Sequence, residues 1–220
     1  MKFVGKGEYL KAKNKRYKET IIFVPFFFGK KRHLKRHAEF VNELGYDCLV
    51  FNLTDNLMSG LPKTLAKIFK NIRNGWGLKH LWAQEITHNL DQIPGDKILY
   101  AFSNPTTSAL EATINRKAKD IKGMICDSGP FYDLIKCNWN YFTYEYPIKN
   151  IFVKTGVNAF ARSMWGVEHE RELSSYLSKL PRHFPLLSIR GWQDPLVPLT
   201  SIEKAFRGHD QIDLEILNLP

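Results

Sequence analysis

Six short runs rich in β-branched and large apolar residues recur along this chain, and helical periodicity fills most of the intervals between them. The runs are Thr20–Val24, 47–53, Lys97–Phe102, 121–126, 185–189 and 213–217. Helical spacing is read over 33–44, which Gly45 stops, and over 78–90, where Leu78, Leu81, Trp82, Ile86 and Leu90 share a face. It recurs over Pro105–Asn115, with proline in its first turn, and over 201–207, stopped by Gly208. Strands this apolar are buried on both faces. Joined by helices, they predict an α/β fold with a doubly wound, mostly parallel sheet. Residues 1–10 are expected to add an antiparallel edge.

The alternation lapses between the runs at 121–126 and 185–189. Seven of the sixteen residues from 131 to 146 are aromatic, and helical patterns follow near 151–164 and 168–179. This predicts a small helical, aromatic-rich cap inserted at 131–180, with 1–130 and 181–220 forming the core. The aromatic residues serve either to shape a pocket or as the cap's own core.

Several classes are excluded early. No apolar run approaches the ~18 residues of a membrane span, and Met1-Lys2-Phe3-Val4-Gly5-Lys6 lacks the apolar stretch of a signal peptide. Cys48, Cys126 and Cys137 cannot all pair, and no C-x-x-C occurs, so the expected setting is reducing and cytoplasmic. The net charge of +10 is lopsided: residues 1–40 carry 12 Lys/Arg against 3 Asp/Glu. Much of this excess sits at Lys30, Lys31, Arg32, Lys35 and Arg36, either an anion-facing patch or a solvated edge. Without interleaved aromatics or repeats, the patch does not read as a nucleic-acid module.

The strongest local signal is Ile98-Leu99-Tyr100-Ala101-Phe102-Ser103-Asn104-Pro105, a serine directly after a buried strand and directly before a helix. A tight turn there lifts the hydroxyl clear of the sheet and aims the helix N-terminus at a developing oxyanion. Ala101 supplies the small residue such a turn needs on one side. Pro105 is unusual on the other and biases Asn104 away from helical dihedrals. A second signal, Gly191-Trp192-Gln193-Asp194-Pro195-Leu196-Val197-Pro198, puts a carboxylate on a loop after an apolar strand, where open α/β sheets hold their ligands.

With these motifs the chain resembles the α/β-hydrolases over roughly residues 18–220. The loop in Phe23-Val24-Pro25-Phe26-Phe27-Phe28-Gly29 occupies the place of that family's oxyanion loop, with Pro25-Phe26 instead of His-Gly. Gly123-Met124-Ile125-Cys126-Asp127-Ser128-Gly129-Pro130 resembles the strand after the elbow. The resemblance implies Ser103 as nucleophile and Asp194 as the acid. It places the amides of Phe27 (or Phe26) and Asn104 in the oxyanion hole.

It also implies a histidine after the last strand. All seven histidines, at 33, 37, 80, 88, 169, 183 and 209, precede the strand at 213–217. His209 is nearest and is carried as an alternative, as is Asp127 for the acid; otherwise the base is expected just beyond residue 220. No metal or nucleotide motif occurs, so no metal or cofactor is expected. Two functions follow: a serine hydrolase acting on an ester, thioester or amide with an apolar acyl group, or an inactive binding protein of the same fold.

Overall fold

The computed structural model describes residues 7–27, 29–54, 78–166 and 168–219. Strands β1 (Glu8–Leu10), β2 (Thr20–Val24), β3 (Asp47–Val50), β4 (Lys97–Phe102), β5 (Ile121–Asp127), β6 (Pro185–Gly191) and β7 (Asp213–Leu219) make one sheet, ordered β1-β3-β2-β4-β5-β6-β7. β1 pairs antiparallel with β3, and the remaining pairs are parallel. The antiparallel edge expected over 1–10 is thus present at Glu8–Leu10, while residues 1–6 lie outside the described residues.

A 3₁₀ turn (Lys31–Leu34) leads into helix α1 (Lys35–Leu44), and Gly45 ends it at φ 105°. Then come α2 (Leu78–Asp91), α3 (Pro105–Asn115), α4 (Leu134–Tyr144), α5 (Ile151–Trp165), α6 (His169–Ser178) and α7 (Leu199–Phe206). The helix expected from residue 33 starts two residues later, so His33 belongs to the tighter turn. The strand expected over 47–53 stops at Val50, although Phe51 and Leu53 stay buried.

Side chains alternate across the central strands, as a pleated strand requires. Ile22, Val24, Leu99 and Ala101 join Leu110, Leu173, Leu177 and Ile202 in the larger core. Ile21, Phe23, Val50 and Phe102 pack on the other face with Leu34, Ala38 and Val41 from the α1 side. Both faces of β2 and β3 are therefore dry, and β4 keeps only Ile98 and Tyr100 partly exposed, which explains why those strands read as continuous apolar runs.

Among the described residues, three helices lie between β5 and β6. α4 packs on α5, whereas α6 packs against α3 and α7, with Leu173 and Leu177 fully buried. Leu173 and Leu177 recur one helical turn apart and give α6 an apolar stripe that the larger core takes up.

Candidate active site

Parallel pairing brings the C-terminal ends of β2, β4, β5 and β6 to one edge of the sheet. Phe102 is in register with Asp127, and Asp127 with Ile189. Ser103 follows directly, in the left-handed region at φ 53°. Its amide donates to the Asp127 carbonyl at 2.7 Å, continuing the ladder by one bond, while its own carbonyl accepts the Thr106 amide at 3.1 Å. Asn104 is helical at φ −49°, ψ −47° despite the proline after it, and Pro105 sits in the first turn of α3. Proline needs no amide partner there, and α3 runs on without interruption.

A left-handed serine costs on the order of 1–3 kcal/mol and persists only where its surroundings enforce it. Gly129 leaves room for that turn. A β-carbon at that position would lie 2.5 Å from the Ser103 carbonyl oxygen and 2.8 Å from Thr106 Oγ1. The turn between β4 and α3 closes against a backbone that carries no side chain.

Ser103 opens into a cavity of about 670 Å³, also bordered by Asn104, Asp127, Ser128, Asp194, Phe26 and Phe27. All the candidate catalytic and oxyanion-hole residues except His209 line this one space. Its far walls are apolar: Trp82 from α2, Phe131, Leu134, Cys137 and Tyr141 around α4, and Val157, Phe160, Ala161, Met164 and Trp165 from α5. A cavity of this size suits a small organic ligand, with a few polar groups gathered at one end.

Those polar groups are held locally. Asp194 Oδ1 accepts the amides of Leu196 at 2.7 Å and Val197 at 3.1 Å, so the carboxylate organises its own loop. Asp127 accepts from the Tyr100 hydroxyl and from Ser128 Oγ, each at 3.3 Å. Burial pushes its carboxyl above the ordinary range, against the pull of those two hydrogen bonds. Phe26 stacks on His33 with ring centroids 5.7 Å apart, and Phe27 packs on Trp82 and Tyr141. Phe28, the remaining residue of that apolar loop, lies outside the described residues.

None of the histidines hydrogen-bonds Ser103 among the described residues. His209 precedes β7 and so lies at the opposite edge of the sheet, its Nε2 3.5 Å from Ser174 Oγ. Parallel pairing forbids the reach across the sheet that a base at His209 requires.

His169 is a strut. Its Nδ1 accepts from Trp165 Nε1 at 3.1 Å, leaving Nε2 to donate to the Phe131 carbonyl at 2.9 Å. Burial lowers its pKa to about 4, so it stays neutral and ties two cavity walls together. His80 sits among carboxylates of Glu111 and Glu172 on α3 and α6.

The sequence reading passed over His33 as a site residue. It lines the cavity beside Lys30, in the 3₁₀ turn after the β2 loop. The available signal was positional: residues just after β2 share the sheet edge with Ser103. Its ring nitrogens face the Lys30 amide (3.2 Å) and Arg32 Nε (3.3 Å).

No protein-family model and no curated protein matches the sequence. Many solved structures match the fold. A monoacylglycerol lipase from Paleococcus ferrophilus is 10% identical with a TM-score of 0.64, spanning 100% of this chain and 89% of that one. Alpha/beta hydrolase domain-containing protein 10 from mouse is 16% identical with a TM-score of 0.59, over 98% and 84%. MGS-MChE2, an alpha/beta hydrolase enzyme from a lagoon-sediment metagenome of Mar Chica, Morocco, is 20% identical with a TM-score of 0.61, over 100% and 87%.

Proposed function

From the premise that this chain has the α/β-hydrolase fold, we propose that it is a serine hydrolase acting on an ester, thioester or amide with an apolar acyl group. The observation that carries this reading is the strained Ser103, at φ 53° between β4 and α3, opening into the apolar cavity. In this reading the acyl chain lies against Trp82, Phe131 and the α5 wall, and the scissile carbonyl sits over Ser103. Ser103 Oγ attacks the carbonyl carbon. The amides of Asn104 and of Phe27 or Phe26 receive the developing oxyanion, supported by the N-terminus of α3.

The hydroxyl proton needs a base, which returns it to the leaving group as the scissile bond breaks. The base then takes a proton from the water that cleaves the acyl-serine, freeing the carboxylic acid and restoring Ser103. Asp194 orients that base, and Asp127 is the alternative acid. The hydrolase reading requires a histidine as that base, expected just beyond residue 220. The three buried free thiols suit a reducing, cytoplasmic setting.

The histidine geometry favours a second reading, a binding protein that keeps the cavity and lacks the base. The experiment is turnover of nitrophenyl butyrate, with fluorophosphonate labelling of Ser103, on the 220-residue chain and on a chain continued through the loop after β7. The hydrolase reading expects little turnover from the first. It expects robust turnover from the second, lost on Ser103→Ala. Inactivity and absent labelling in both forms establish the binding protein instead.

A further inference from the structure

Around the cavity mouth the surface has two characters. On one side, the first turn of α5 exposes Ile151 (57%), Phe152 (84%) and Val153 (52%) in succession. Val153 lies one turn before Val157, on the stripe that continues through Phe160, Ala161 and Met164 into the cavity wall. Exposed Tyr146 and Phe160 also border the cavity. Three consecutive exposed apolar residues on one helix turn form a patch that a protein surrounded by water gains nothing by displaying.

On the other side are Phe26, His33 and Lys30, also cavity-lining. They lead directly into exposed Lys31, Arg32, Lys35 and Arg36. Lys31 pairs with Glu8 and Lys35 with Glu39, both ion pairs solvent-exposed. Glu145 is the carboxylate at the mouth on the α4 side. Even so, the seven residues from 30 to 36 hold five cations and no carboxylate.

We propose that this face docks on an anionic lipid bilayer, with Ile151, Phe152 and Val153 entering the acyl boundary and the Lys30–Arg36 turn resting on the headgroups. Apolar residues beside a basic surface are what interfacial binding requires. The cavity then opens toward the membrane, so its acyl ligand enters without crossing water. A second copy is the poorer occupant, because two chains of net charge +10 repel. Docking needs no turnover, so its failure and the failure of the hydrolase reading are separately visible.

The experiment is co-sedimentation of the 220-residue chain with phosphatidylcholine vesicles, with or without about one-third phosphatidylglycerol. Binding is expected on the anionic vesicles only, fading as salt rises. Phe152→Ser should weaken it about tenfold, and each of Arg32→Ser and Arg36→Ser about fivefold. All three side chains are exposed, so the variants should keep the parent melting temperature. Binding indifferent to phosphatidylglycerol, no binding, or full affinity in Phe152→Ser overturns the proposal. So does a lipid-free dimer in sedimentation equilibrium that Phe152→Ser dissolves.

Discussion

The carbonyl oxygen of Ser103 lies 2.5 Å from the place a β-carbon on Gly129 would occupy. The two residues follow neighbouring strands, β4 and β5, and the approach leaves room for hydrogen only. Gly129→Ala must therefore push the Ser103 turn or the start of α3 outward. A loss of about 1–3 kcal/mol in urea unfolding is expected, the usual cost of overpacking, together with loss of whatever fluorophosphonate labelling the parent form shows. Parent-like stability and labelling would show that the turn tolerates the side chain.

Ser103 holds its left-handed conformation against its own preference, whereas glycine adopts it without strain. Ser103→Gly should raise stability by about 1 kcal/mol, while Ser103→Ala should not. Thermal melts of the two variants side by side read this directly. Equal melting temperatures would mean that the turn carries no strain.

His80 makes stability pH-dependent. Burial by itself would lower its pKa, but the carboxylates of Glu111 and Glu172 carry it up to about 9 from an ordinary 6.5. The surrounding groups are Lys79, paired with Glu172, and Tyr176 beside Glu111. A pKa raised in the folded state contributes stability that is complete below pH ~6.5 and lost as pH rises through ~9. Melting temperature should fall across that window, and His80→Gln should flatten the fall. An unchanged slope in the variant would assign the loss to another group.

Ala161 faces the cavity from α5. A tryptophan there should fill part of the space and weaken binding of the apolar fluorophore anilinonaphthalene sulfonate by about tenfold. The titration applies equally to an enzyme and to a binding protein. Undiminished binding would place the probe elsewhere.

The three thiols should be silent in the native state. Burial pushes Cys48 and Cys137 up to about 12 and raises Cys126 further. Reaction with a disulfide reagent at pH 8 should report none of them until the chain unfolds. Fast reaction of one thiol in the folded protein would reveal local opening.

Local periodicity settled much of this protein in advance. The bounds of β4 and α3 were readable to the residue, because a short apolar run marks a buried strand, and a helical period opened by proline marks a helix, whatever lies nearby. Ser103 therefore announced itself between them, and the loop holding Asp194 followed from an apolar strand that ends in glycine. What the neighbours decide was not readable. The left-handed serine is accommodated by Gly129, just after the next strand, and α6 belongs to the core because it packs on α3 and α7. His33 enters the cavity because β2 ends where β4 does, and His169 is a neutral strut because Trp165 and Phe131 meet its two nitrogens. Those contacts join residues up to tens of positions apart, and only the closing of the sheet and its helices brings them within reach.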